Sequence, residues 1–228
     1  MKQPKTIILV HGAGGGGWEY DLWKPVFTAA GYQFVAPDLL PRDPGGYEKT
    51  TLEDYIKQVV SWVPKGEKPV FVGASMGGAL ALKAAERVPA RAVVLVNSVP
   101  PAGVGPQRPA KKNPPVVRWA NGPLKDTRDS MPDSDEKTIL WAWKKWRDES
   151  GAVMDALRAG VPARKPACPS LVVLGEKDTD IPYAIGLKLA EWSGGDVLLY
   201  RGMSHVGPLL STRAAEVARA VCLWCDSR

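Results

Sequence analysis

Histidine is scarce in this chain. Only two occur in 228 residues, His11 and His205, so chemistry that needs an imidazole has two candidates. Cysteine is little more common. Cys168, Cys222 and Cys225 make an odd count, which fits reduced thiols rather than a disulfide framework. Cys222 and Cys225 have the CxxC spacing, but no second Cys/His pair completes a zinc site and no strand-to-helix turn makes a redox motif. They read as two small side chains on a terminal helix. No stretch approaches the roughly 20 apolar residues that span a bilayer as a helix. Met1, Lys2, Gln3, Pro4 and Lys5 lead straight into the apolar run at residues 6–10, which is too short for a signal h-region. A soluble, cytoplasmic protein is expected. A long basic stripe is also missing. The net charge of +6 comes from 30 basic and 24 acidic residues, and the pairs Lys111-Lys112 and Lys144-Lys145 are short, so they read as solvated surface rather than a nucleic-acid footprint. There are no internal repeats and no low-complexity tail.

What is present is the pattern of an α/β protein. Hydrophobic residues make up 45% and charged residues 24% of the chain, the ordinary range for a folded domain, and the length suits one core carrying an insertion. Residues 6–10, 33–37, 69–73, 91–97, 170–175 and 196–201 read as six short strands. Amphipathic stretches at 51–63, 77–87, 183–192 and 212–223 separate most of them. Such alternation predicts right-handed βαβ units and a parallel sheet of six strands flanked by helices. Its central strands are continuously apolar, as burial on both faces requires.

One segment breaks the rhythm. Residues 98–168 show no convincing strand, and the part around Val99-Pro100-Pro101-Ala102-Gly103 through Pro114-Pro115 is too rich in proline and glycine to be regular. Residues 134–149 then carry Ile139, Trp143 and Trp146 at helical spacing, followed by a shorter helical pattern at 152–159. This segment is expected to be an insertion, dividing the chain into a core at 1–98 and 168–228 and a cap at 99–167. The other loop of note, at 40–46, reads as a plain turn-rich connection.

The strongest chemical signal is Gly73-Ala74-Ser75-Met76-Gly77, a G-x-S-x-G placed where a buried strand ends and a helix begins. The turn lifts the Ser75 hydroxyl above the sheet at a helix N-terminus, whose N–H groups favour developing negative charge. A serine hydroxyl is a poor nucleophile without an adjacent base. His205 supplies it, lying just past the last strand, at the sheet edge where open α/β sheets place their sites. A carboxylate must then fix the imidazole tautomer, and Gly175-Glu176-Lys177-Asp178-Thr179-Asp180 offers three. Asp178 is assigned, with Asp180 next and Glu176, nearest the strand end, third.

His11 follows the first strand in His11-Gly12-Ala13-Gly14-Gly15-Gly16-Gly17-Trp18. With so few side chains, backbone N–H groups there can approach a ligand closely. Ala13 and Met76 are assigned as the two donors of an oxyanion hole, Gly14 is expected beside the substrate, and His11 is read as a brace for the loop. A phosphate-binding loop is the rival reading of this run, but neither a GK[ST] ending nor a Rossmann acidic residue at the proper distance accompanies it.

Taken together, the His11-Gly12 loop, the Gly73–Gly77 elbow, the Gly175/Asp178/Pro182 loop and the His205 loop resemble the α/β-hydrolase superfamily, in its serine-nucleophile esterase and hydroxynitrile-lyase-like branch. The resemblance covers nearly the whole chain apart from the middle insertion, and the order Ser, Asp, His is that of the fold. It implies a small helical cap between the sixth and seventh strands of the family's sheet, in a chain that starts at the family's third strand. It also implies a carboxylesterase-like hydrolase that needs no metal or organic cofactor, with Ser75 attacking an ester, thioester or lactone carbonyl and water clearing the acyl-enzyme. Serine at the elbow separates the chain from dehalogenase and epoxide-hydrolase relatives, which carry aspartate there. Asp38-Leu39-Leu40-Pro41 departs from relatives that continue with glycines. Trp119, Trp141, Trp143 and Trp146 lie in the insertion and are expected to wall a small to medium apolar substrate. The expected partner is that small molecule, not nucleic acid or membrane, with a homodimer left open. Relatives that reuse the triad for lyase, perhydrolase or cyclase chemistry, and a non-catalytic ligand receptor, are the competing readings.

Overall fold

The computed structural model describes residues 5–106 and 112–228. The leader residues before Lys5, and Lys111 of the Lys111-Lys112 pair, lie outside them. The strands are β1 Lys5–Val10, β2 Tyr32–Val35, β3 Val70–Ala74, β4 Ala92–Val96, β5 Val116–Val117, β6 Glu149–Ser150, β7 Ser170–Gly175 and β8 Asp196–Tyr200. Six of them form one sheet in the order β2-β1-β3-β4-β7-β8, and every pairing is parallel.

The continuous apolar runs divide their side chains between two faces, as the two-residue period of a strand demands. On one face lie Ile7, Leu9, Val70, Val72, Val94, Val96, Leu171 and Val173, packed with Phe27, Val217 and Val221. On the other lie Ile8, Val10, Phe71, Val93, Leu95, Val172 and Leu174, packed with Ile56, Val59, Leu80 and Leu189. The helices behind this are α1 Lys24–Ala29, α2 Gly46–Lys49, α3 Leu52–Ser61, α4 Met76–Ala85, α5 Leu124–Ser130, α6 Glu136–Trp143, α7 Gly151–Ala159, α8 Tyr183–Ser193, α9 Gly207–Leu210 and α10 Ala214–Asp226. Helix α3 starts where the sequence signals it, with Thr51 and Asp54 forming a reciprocal capping box. Cys222 and Cys225 are buried free thiols on α10, and burial pushes Cys225 up to about 12. Among the described residues no helix is long and apolar enough to cross a membrane.

Two expectations for the insertion need correction. It contains a pair of strands, β5 and β6, two residues each and antiparallel, too short to leave a period in the sequence. The helical spacing at 134–149 also overshoots. Helix α6 begins after its Asp135 cap and ends at Trp143, and residues 146–148 are irregular before β6 starts at Glu149. The Arg147 N–H donates to the Gly14 carbonyl at 2.7 Å, and the Glu149 carboxylate accepts from the Gly14 N–H at 3.2 Å. A tertiary clasp on the glycine loop has overridden local periodicity. Helices α1, α2, α5 and α9 were not expected; at four to seven residues each, they offer little more than one or two turns of pattern.

Candidate active site

Ser75 sits between β3 and α4 at φ 52°, ψ −117°, a strained conformation for a residue with a side chain. Packing around it leaves no room for other geometry. A Cβ on Gly73 would stand 2.1 Å from the Gly77 carbonyl oxygen, and one on Gly77 would stand 2.0 Å from that of Val10. Strand, turn and helix can close together here only because both positions lack side chains. The backbone is pinned as well. The Ser75 N–H donates to the Val96 carbonyl at 3.0 Å, and its own carbonyl accepts from Gly78 and Val99.

His205 follows β8 and Asp178 follows β7. The imidazole Nδ1 lies 2.8 Å from Asp178 Oδ2, while Oδ1 of the same carboxylate accepts the Asp180 and Ile181 N–H groups at 2.8 Å each. With three donors and a fully buried side chain, Asp178 is an orienting acceptor, and it leaves Nε2 as the ring's basic atom. Asp180 Oδ2 stands 3.8 Å from that Nε2 and its side chain is 70% exposed. Glu176 accepts the Gly202 N–H, closing a turn instead of meeting the imidazole. Burial opposes charge on His205, but the hydrogen bond and charge of Asp178, helped by Asp180 and Glu19, outweigh it and raise the imidazole above its ordinary value.

Ser75, His205, Ala13 and Met76 all line one cavity of about 1300 Å³ at the carboxyl ends of the strands, where open α/β sheets bind ligands. Met76 is the first residue of α4, so its N–H has no partner within the helix. The insertion supplies much of the opposite wall, including Trp119, Trp143, Trp146, Met154 and Leu157.

The glycine loop is held differently from the expectation. Carboxylates take its N–H groups in turn: Glu19 from Gly12, Glu149 from Gly14 and Asp38 from Gly17. Gly14 is therefore bound between residues of the insertion and is not in the cavity wall, against its assignment beside the substrate. A Cβ there would meet the Trp119 ring at 2.4 Å. Trp141 is also displaced from the expected wall. It packs edge-on to Trp18 at 5.1 Å and lies under the Lys145 ammonium, so it joins insertion to core.

His11 braces the loop. Its Nδ1 lies 2.7 Å from the Gly12 carbonyl and its Nε2 accepts the Leu39 N–H at 2.8 Å, with Arg147 alongside. Burial lowers its titration to about 4, so the ring is neutral.

Four further residues had no motif to announce them. Asn97, at φ 41°, donates to the Ser204 and His205 carbonyls and accepts from Gly175, tying the acid and histidine loops together. Asp133 reaches from the insertion to the Ser204 hydroxyl and N–H. Arg147 and Glu149 clasp the glycine loop, the former through Gly15 and Leu39 carbonyls. The nearest thing to a signal was their position, charged or amide residues at a strand end or within the tryptophan-bearing insertion. Among the described residues, no group of three or more His, Cys, Asp or Glu is placed to hold a metal ion.

Comparisons with known proteins converge on one family. Norfluorocurarine synthase 1 of Strychnos sp is 34% identical over 113 residues, which cover 46% of this chain and 42% of that protein. Salicylic acid-binding protein 2 of Nicotiana tabacum is 37% identical over 84 residues, 34% of this chain and 32% of that one. The matches thus span less than half the length of these curated relatives. In structure, a pyrethroid hydrolase from Sphingobium faniae JZ-2 superposes with a TM-score of 0.75 over 99% of this chain and 98% of that chain, at 23% identity, which establishes a shared fold. The pattern of the Alpha/beta hydrolase family matches residues 7–220, and the chain belongs to that family.

Proposed function

We propose that the protein is a serine hydrolase that cleaves a carboxylic ester, thioester or lactone of a small to medium apolar substrate through an acyl-enzyme. The observation that carries this reading is the His205 imidazole, fixed through Nδ1 by Asp178 in the same cavity wall as the strained Ser75. In this reading His205 Nε2 takes the Ser75 proton as the hydroxyl attacks the carbonyl, and Asp178 stabilises the imidazolium. The Ala13 and Met76 N–H groups receive the oxyanion. The imidazolium returns its proton to the leaving alcohol or thiol, and water, deprotonated by the same nitrogen, clears the acyl group. Residues 99–167 act as a cap, with Trp119, Trp143 and Trp146 bounding the acyl or ring-bearing part of the substrate.

An ester, thioester and lactone panel tests this, with Ser75→Ala as the blank. Turnover is expected to fall about 10⁴-fold or more in the variant, and a serine-directed phosphonate is expected to add mass at Ser75. Unchanged hydrolysis by Ser75→Ala, or labelling elsewhere, overturns it. The synthase and binding-protein names of the relatives favour a second reading, the same triad in a non-hydrolytic reaction or a receptor. Product formation without a trapped acyl-enzyme, or ligand binding without turnover, distinguishes these.

A further inference from the structure

Glu19 is a buried acid for which acyl transfer, as derived above, has no task. It lies in the turn Gly17–Tyr20 and is 3% exposed, yet it forms part of the cavity wall with Ser75 and His205. The glycine loop wraps around it. A Cβ on Gly15 would fall 2.1 Å from Glu19 Oε1, and a Cβ on Gly12 would lie 3.5 Å from the Ser75 Cβ and 3.9 Å from that same Oε1. Carboxyl and nucleophile side chain therefore flank one peptide, and Glu19 Oε2 accepts that peptide's N–H at 3.0 Å. The charged and titratable groups facing Glu19 are His205, Arg147, Asp38 and the neighbouring Tyr20. Those facing His205 are Asp178, Asp180 and Glu19.

Resting on the acyl-transfer reading, we propose that Glu19 is a positioning residue, fixing the Gly12 peptide one residue ahead of the Ala13 donor and setting a further, buried carboxyl charge against the His205 imidazole. The two forms of the acid act differently. Ionised, Glu19 favours the imidazolium and so strengthens the base; protonated, it spares the oxyanion at Ala13 a repulsive neighbour. Burial pushes the carboxyl up to about 7, against the pull of the Gly12 N–H, His205 and Arg147. It therefore titrates in the range where imidazoles do, and the two groups exchange charge as a pair.

The test is the rate at which a phosphonate labels Ser75 as a function of pH, which reads the basicity of His205 whatever the natural substrate. Glu19→Gln keeps an oxygen for the Gly12 N–H and removes the charge. Its acid limb is expected to move down by roughly 0.5–1 pH unit. Glu19→Ala loses the anchor too, and should add to that shift about a tenfold drop in the plateau rate. Should the variants not fold, the wild-type imidazole C2–H resonances decide the matter. His11 titrates only near 4, so a two-step His205 curve supports the proposal and a single one-proton curve overturns it. An acid limb unmoved in Glu19→Gln sinks the proposal and leaves the triad standing, whereas a wild-type Ser75 that is never labelled removes the acyl-transfer reading and this one with it.

Discussion

The two histidines make a controlled comparison within one molecule. Both follow parallel strands at the carboxyl edge of the sheet, and both are largely covered by protein. Around His11 the ring nitrogens meet a carbonyl, a peptide N–H and the Arg147 guanidinium, and burial lowers the ring's titration to about 4. Around His205 a carboxylate holds Nδ1 and two more acidic groups face the ring, so its titration rises. The residue type gives each position the capacity to move protons. Its partners decide whether that capacity is used or suppressed.

The largest expected effect comes from deleting each ring in turn. His205→Ala should lower turnover of a model ester about 10⁴-fold or more, with melting temperature little changed. His11→Ala should instead cost roughly 2–3 kcal/mol of stability, because the Leu39 N–H is left buried and unpaired. Urea unfolding beside an esterase assay reads both, and the comparison breaks if the two losses change places. Asp178→Asn should resemble His205→Ala, falling by about 10⁴-fold through the wrong imidazole tautomer.

Stability against pH sharpens the contrast. Folding holds His11 neutral, its titration depressed from 6.5 to about 4. Its contribution is complete above about pH 6.5 and drains away as pH falls through 4, by about 3 kcal/mol. Glu19 runs the other way. Its titration is raised from 4.5 to about 7, so its contribution is complete below the lower value and is lost as pH rises through the upper, by about 3 kcal/mol. The two windows overlap and their slopes oppose, so the wild-type unfolding free energy should be nearly flat across them; His11→Gln should expose a stability that falls as pH rises, and Glu19→Gln one that rises.

How much of this was legible in the sequence follows the range of the forces involved. The four central strands and the elbow were readable because continuous apolar runs and a G-x-S-x-G are local consequences of burial and a tight turn, and the outer two strands were readable from short runs at the same rhythm. His205 was readable because only two imidazoles exist. The clasp on the glycine loop was not, since Arg147 and Glu149 act on residues more than 130 positions away, and no period or spacing records that pairing. The same distance explains Gly14 and Trp141. Composition suggested ligand contact for both, whereas tertiary packing turned one toward the Trp119 ring and the other toward Trp18. Asp178 and Asp180 differ by two positions and by no local pattern, and only the turn that gathers the Asp180 and Ile181 N–H groups onto Asp178 distinguishes them.

That pair gives the smallest expected effect. Asp180 stands 3.8 Å from His205 Nε2 but is 70% exposed, so water and salt screen its charge in a way that they do not screen the buried Asp178. Removing a negative charge lowers the titration of the imidazole it faces, so Asp180→Asn should move the acid limb of kcat/KM toward lower pH, by about 0.3 unit. The shift should fade as ionic strength approaches about 1 M, where the screening length falls to about 3 Å. Loss of turnover comparable with that of Asp178→Asn, or a shift that survives high salt, would show that Asp180 acts on the ring as more than a screened surface charge. The opposite result places the orienting role on the carboxylate that three donors already hold.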